Sequence, residues 1–162
     1  MINGSKVTVH ARELVEDPAL LTADHYISTR RYDGERAFDV IYKGEWLGGT
    51  PHGLGTEWVL RRLKPPVEPL PSFPVDLKAL RRETTYVGAW EHGVMEGFGV
   101  RIQESGSVTE SHWKGGKPNG FGAKYTAFFG LYDGEFRNGR AHGYGVYFYS
   151  NGRQTYRGQW EN

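Results

Sequence analysis

The chain contains no cysteine, and that one absence removes disulfide staples, thiolate metal sites and cysteine nucleophiles together. It also leaves the redox character of the compartment unspecified. No apolar run approaches bilayer-spanning length. The first 31 residues lack the apolar stretch of a signal peptide, and Glu13, Glu16, Asp17 and Asp24 argue against a basic presequence. The sequence therefore reads as that of a soluble or peripheral intracellular protein. Charge of one sign is missing too. The 20 Lys and Arg stand against 19 Asp and Glu for a net charge of +1, so no global field recruits nucleic acid or steers an acidic substrate. Apolar bulk is also scarce, since only 38% of the 162 residues are hydrophobic, thin for one thick core.

Glycine and aromatic residues take its place. The chain holds 23 Gly, and its ten Tyr, eight Phe and five Trp each bury a large area even in a structure one or two layers thick. They recur in order. Displacing the sequence by 23 residues superposes Tyr86, Gly88, Trp90, Gly93, Gly97 and Gly99 on Thr109, Ser111, Trp113, Gly116, Gly120 and Gly122. A second displacement superposes those on Tyr132, Gly134, Phe136, Gly139, Gly143 and Gly145. A fixed period in this range marks a stacked array whose units bury side chains on their neighbours and need no central core.

Residues 1–41 read as an N-terminal extension. Val7-Thr-Val9 favours a short strand, and Asp17-Pro18 before Leu20 and Leu21 predicts a helix start, with Asp as cap and Pro at the first helical position. Tyr32-Asp-Gly34-Glu35 echoes the repeat without its later glycines and reads as a degenerate lead-in. The array spans 42–162, with units at 42–60, 86–106, 109–130 and 132–152 and a partial unit at 156–162. An insertion at 61–85 interrupts it. The insertion carries Pro65, Pro66, Pro69, Pro71 and Pro74, which cannot fill a central strand, and then Asp76 to Arg82, which reads as one or two helical turns.

Residues two apart share a strand face. Tyr42, Gly44 and Trp46 fall on one face with Lys43 and Glu45 on the other, and Tyr86, Gly88 and Trp90, then Tyr132, Gly134 and Phe136, repeat the aromatic side. In the second strands, Leu54, Thr56 and Trp58 share a face opposite Gly53 and Gly55. Glycine inside a strand is costly unless something approaches the backbone closely, and a large ring lying flat over it is the expected cause. Gly48-Gly49, His92-Gly93, Gly115-Gly116 and Asn138-Gly139 sit where tight hairpins need positive φ. One unit is thus one β-hairpin. The fold class expected is all-β: an elongated, single-layer antiparallel sheet of tandem hairpins, with a short N-terminal helical segment and a Pro-rich insertion packed on or beside it.

The pattern Tyr-x-Gly-x-Trp-x-x-Gly-x-x-x-Gly-x-Gly, carried by Tyr42 to Gly55 and repeated from Tyr86 and Tyr132, resembles the MORN repeat (membrane occupation and recognition nexus). The third unit departs most, with Thr109 and Ser111 in place of the Tyr and first Gly, which interrupts its aromatic column. The resemblance implies hairpin arrays that act as adaptors in cytoskeletal or ciliary assemblies, membrane junctions and multidomain enzymes, with an aromatic groove that holds a partner segment and ends that pair with other chains.

The six His show no metal-type spacing, and His52 and His142 occupy a repeat position before Gly-x-Gly, so neither a catalytic nor a metal site is assigned. No copy forms a phosphate-binding glycine motif, so no cofactor or small-molecule substrate is expected. Acidic residues balance the basic ones along the strands, against a nucleic-acid platform. Arg61, Arg62, Lys64, Arg81 and Arg82 form the one local basic excess and could meet an anionic lipid headgroup, though a solvated loop is the simpler reading. Two Pro-x-x-Pro stretches, at Pro66 to Pro69 and Pro71 to Pro74, read more simply as a crossing loop than as a peptide ligand. The partial unit at Tyr156 and Trp160 presents a strand edge open to a partner or a second copy.

The sequence thus predicts a non-catalytic scaffold or adaptor subunit that binds other protein subunits through Tyr86, Trp90, Trp113, Tyr132, Phe136, Tyr156 and Trp160. Self-association through the C-terminal edge is included. Cytoplasmic, cytoskeletal or ciliary settings are favoured, with an organellar complex also open. Two alternatives stand beside this reading: a peripheral tether to anionic phospholipids, and a targeting module for an enzyme domain absent from this chain.

Overall fold

A computed structural model describes residues 27–33, 36–62, 80–151 and 155–161. They form ten strands: β1 (Ile27–Asp33), β2 (Arg36–Leu47), β3 (Thr50–Arg62), β4 (Leu80–Glu91), β5 (Val94–Gln103), β6 (Val108–Lys114), β7 (Lys117–Thr126), β8 (Gly130–Arg137), β9 (Arg140–Tyr149) and β10 (Thr155–Trp160). The strands lie side by side in chain order in one ten-stranded sheet, each antiparallel to the next. The all-β array read from the repeat is what forms. Among the described residues there is no helix, and the helix start at Asp17-Pro18 and the short strand at Val7 lie outside them.

Both ends of the Pro-rich span are strand. Arg62 pairs with Leu80, Arg61 with Arg81 and Leu60 with Arg82. Leu80 to Arg82, expected in helical turns, therefore extend β4. A few residues of isolated helix are marginal, and an adjacent strand offers a full ladder of backbone hydrogen bonds instead. At the other end, Tyr32 and Asp33 of the Tyr32-Asp-Gly34-Glu35 echo close β1, and Gly34 and Glu35 lie outside the described residues.

Each repeat is one hairpin, β2–β3, β4–β5, β6–β7 or β8–β9, with β10 the opening strand of another. The two-residue turns have both φ angles positive: 59° and 79° at Gly48-Gly49, 48° and 81° at His92-Gly93, 57° and 75° at Gly115-Gly116, 52° and 84° at Asn138-Gly139. These are the primed turns whose twist matches the strands they join.

Beyond the turn the two strands fall out of step. Gly44 pairs with Gly55, but Trp46 pairs with Pro51, so the returning strand covers with three residues what the outgoing one covers with one. The same shift recurs between Gly88 and Trp90 and between Ser111 and Trp113. This bulge divides the labour of Gly-x-Gly. Its first glycine, Gly53, sits in the bulge at φ +68°, where an L side chain is strained. Its second, Gly55, lies under the Tyr42 ring, and a Cβ there would fall inside that ring. The sequence reading assigned both glycines to ring contact; the structure gives that role to the second alone and a backbone role to the first. Gly97 and Gly99, and Gly143 and Gly145, repeat the division around Tyr86 and Tyr132.

The ring that covers the glycines also ties the bulge. Tyr42 Oη–H donates to the Glu45 carbonyl at 3.1 Å, Tyr86 to Ala89 at 3.1 Å, Tyr132 to Glu135 at 2.8 Å and Tyr156 to Gln159 at 2.9 Å. At Glu45 and Ala89, which the bulge leaves out of the pairing within the hairpin, a displaced carbonyl in this way keeps a partner. Successive hairpins are tied by tryptophan: the Nε1–H of Trp90 donates to the Gly55 carbonyl at 3.3 Å, that of Trp113 to Gly99 at 2.9 Å and that of Trp160 to Gly145 at 3.4 Å. The resulting core is a buried cluster of Tyr42, Tyr86, Trp90 and Trp113, with Trp46 and Met95 packed against it.

Gly99→Ala forces a methyl into the Tyr86 ring and is expected to lower stability by about 1–3 kcal/mol. Tyr86→Phe keeps the ring and loses one hydrogen bond, for about 0.5–1.5 kcal/mol. Urea unfolding midpoints check both, and a Gly99→Ala protein as stable as the parent would refute the close ring-on-backbone contact.

Candidate functional site

The aromatic face is a ladder of edge-to-face rings. From Trp46 through Tyr42, Trp90 and Tyr86 to Trp113 the centroids step by 4.9, 5.3, 5.2 and 5.3 Å, with successive planes 81–89° apart. A second run joins Phe136, Tyr132, Trp160 and Tyr156 in steps of 5.1 Å. Rings so arranged set the positive edge of one against the negative face of the next. Burial pushes the phenols of Tyr42 and Tyr86 well up, with Glu45 and Glu57 adding to the first and Glu96 to the second, and burial also raises that of Tyr132. These hydroxyls therefore stay protonated, as hydrogen-bond donors, at neutral pH.

Most residues expected to meet a partner are part of this ladder. Tyr86, Trp90, Trp113, Tyr132 and Phe136 are only 2–5% exposed, each spent on its neighbours. Tyr156, 43% exposed, and the half-buried Trp160 stand on the last strand, where no following hairpin covers them among the described residues. Tyr156 and Trp160 are therefore the members of the set that offer ring surface.

Between the two runs the ladder is broken. Thr109 and Ser111 stand in β6 where other units carry Tyr and Gly. The Ser111 side chain, fully buried, takes part of the space over Gly122 and donates to the Phe121 carbonyl at 3.2 Å. It does not fill the rest. A cleft of about 130 Å³ remains, walled by Trp113, Phe136, Pro118 and Thr109 and bordered by Arg101 and Lys124. The interruption was legible in the sequence; the two flanking cations were not, because they lie on different strands and only the register brings them to Thr109.

The opposite face carries a row that sequence reading placed on one side but did not single out. The middle residues of Gly-x-Gly, Leu54, Phe98, Phe121 and Tyr144, are 62%, 51%, 69% and 50% exposed. Deeper along the same strands Trp58 and Thr56 are buried at 2%. The turn between β7 and β8 adds Phe128 and Phe129, 82% and 68% exposed. The signal was available: every copy puts an apolar residue between two glycines that leave it no lateral cover.

Of the basic set, Arg61 is already engaged within the sheet. Arg61 Nε lies 2.7 Å from a Glu83 carboxylate oxygen, and its guanidinium also meets Glu104 at 3.6 Å. Arg62 and Arg81 are strand positions in β3 and β4, Arg82 pairs opposite Leu60, and Lys64 lies outside the described residues. His52 and His92 rings are 5.3 Å apart, yet among the described residues no group of three His, Asp or Glu could hold a metal ion. No helix among them is long and apolar enough to cross a membrane.

The comparisons with known proteins agree with this geometry. Alsin from Mus musculus is 35% identical over 86 residues, a match covering 49% of this chain and 5% of alsin, and alsin from Homo sapiens is 34% identical over the same length. The chain thus spans about one-twentieth of the length of these relatives. The family profile of the MORN repeat matches residues 42–59, 86–108, 110–125 and 132–152, the four hairpins built around Tyr42, Tyr86, Trp113 and Tyr132. With four matched units, each a bulged hairpin of one continuous sheet, the chain is a MORN-repeat protein.

Proposed function

We propose that the array is a non-catalytic adaptor that holds a partner protein against its sheet, inside a larger intracellular assembly. The observation that carries this reading is the row of exposed apolar side chains, Leu54, Phe98, Phe121 and Tyr144, repeated once per hairpin. Aromatic residues gathered in one exposed stripe are what association surfaces use and what solitary surfaces avoid. Tyr156, Trp160 and the outer edge of β10 add a second contact, suited to a partner strand or a second copy. Alsin's far greater length supports a related role, in which such an array targets a longer chain that carries other domains.

Affinity purification from the native cells, followed by mass spectrometry, tests the adaptor. A stoichiometric protein partner is expected, lost on Phe98→Glu/Phe121→Glu and weakened on Trp160→Ala. A chain that stays monomeric and recovers no stoichiometric partner overturns the reading.

A peripheral membrane tether is the second reading, and Phe128-Phe129 favours it. The two rings project from a turn inside an uncharged stretch from Tyr125 to Tyr132 that is broken by no Lys or Arg. Tyr125 and Tyr149 beside it supply the amphipathic rings that interfaces favour. Liposome co-sedimentation separates the two forms a tether can take. Salt-resistant binding lost on Phe128→Ser/Phe129→Ser supports insertion of the turn. Salt-sensitive binding lost on replacing Arg61, Arg62, Arg81 and Arg82 supports headgroup attraction. No binding to either neutral or anionic vesicles removes the tether.

A further inference from the structure

The face opposite the ring ladder holds a channel with an acidic floor. From β5 to β9 it crosses the strands along one register row, Val100, Glu110, Ala123, Asp133 and Val146, each opposite the next. Alternation puts Phe98, Phe121 and Tyr144 two residues to one side of this row, and Tyr125 and Phe148 two residues to the other. Those rings are 43–69% exposed, whereas Val100, Ala123 and Val146 between them are half-buried. The walls stand four residues apart along each strand, about 13 Å. One wall continues a row that is closed elsewhere: Ile41, Trp58 and Thr85 are at most 2% exposed, and the same register runs on into Tyr125 and Phe148.

Charge selects what can cover the channel. Glu110 and Asp133 are exposed, each between two buried neighbours that point to the ring side. They lie two strand spacings apart, about 10 Å. Among the described residues neither takes part in an ion pair. The cations of β6 and β8 sit at the hairpin turns, where Lys114 is opposite Lys117 and Arg137 opposite Arg140, four residues beyond Glu110 and Asp133. Arg101 and Lys124 belong to the ring side with Thr109, and Arg157 lies past Val146 on β10. An apolar cover would bury both carboxylates without partners, which is costly. A second copy laid face to face would set the same acids against each other. A segment carrying Lys or Arg meets both demands, because the alkyl stems lie along the aromatic walls while the charged heads reach the floor.

We propose that this channel takes a basic segment of a partner protein, with two of its Lys or Arg side chains paired to Glu110 and Asp133. The assignment rests on the adaptor reading and names the chemistry of its partner. It centres the contact on β5 to β9, with Phe121 and Tyr125 facing each other across the middle.

The test uses the isotope-labelled full chain and two blocked peptides, Lys-Leu-Lys-Leu-Lys and Glu-Leu-Glu-Leu-Glu, followed by nuclear magnetic resonance. With the Lys peptide, saturable shifts of the Ala123 and Val146 methyl groups are expected, with the Trp113 indole N–H of the ring side unmoved. The Glu peptide should bind about tenfold more weakly, a difference that two partly exposed charge pairs together can supply. Glu110→Lys/Asp133→Lys should reverse the preference. Glu110→Gln/Asp133→Asn should abolish it, and decides the matter should the Lys pair not fold. Phe121→Ser/Tyr125→Ser should weaken the Lys peptide without reversing the preference. Equal binding of the two peptides by the parent chain, or shifts confined to the ring side, overturns the proposal. So does self-association of the parent chain that Glu110→Lys/Asp133→Lys abolishes, since the channel then belongs to a second copy. Retention of a stoichiometric cellular partner by the Glu110→Lys/Asp133→Lys protein leaves the adaptor standing and removes the basic segment from it.

Discussion

A phenol ring lying flat on two glycines governs this sheet. The Tyr42 ring occupies the volume that side chains at Gly44 and Gly55 would need, and its hydroxyl holds the carbonyl of Glu45, displaced from the ladder by the bulge. Tyr86 does the same in its hairpin, and the Tyr132 ring likewise covers Gly134 and Gly145 while its hydroxyl donates to the Glu135 carbonyl. The bulge requires a positive φ, which requires the first glycine of Gly-x-Gly, and the ring requires the second. Remove the ring and both glycines become unfilled backbone. Its place is closed on one side by the Trp of its own hairpin and on the other by an aromatic residue of the next. Stability therefore passes from neighbour to neighbour, as in other repeat architectures.

The third unit shows what happens where that rule lapses. Thr109 and Ser111 keep the β6 ladder intact, since backbone pairing with β5 and β7 continues through them. Ser111 replaces part of the lost contact with a hydrogen bond to the Phe121 carbonyl. The ring is not replaced, and the ladder divides into two runs that end at Trp113 and begin again at Phe136. The seam leaves the third unit without the ring contacts that the other units have, while the backbone ladder runs on through it.

Function is displaced accordingly. The buried rings cannot be both core and contact surface, because a ring 2–5% exposed has no area left for a second molecule. Among the described residues, what remains available is the strand with Tyr156 and Trp160 and the outward row from Leu54 to Tyr144. Arg61 illustrates the same point for charge: ion-paired with Glu83 and Glu104, it is engaged within the sheet.

The sequence by itself determined the period, the hairpin as the unit, the four tight turns and the interruption at Thr109 and Ser111. Each of these is a local demand of the backbone: positive φ favours Gly, with Asn or His tolerated, at a fixed place, and alternation sorts residues onto two faces within a single strand. Tertiary structure alone decided which face is closed, that the two glycines of Gly-x-Gly serve different ends, that Leu80 to Arg82 join β4, and that Arg101 and Lys124 flank Thr109. These outcomes depend on register and on packing between neighbouring hairpins, where residues far apart in the chain meet. A repeat spells out its unit in its own residues, but burial is a property of the unit's neighbours.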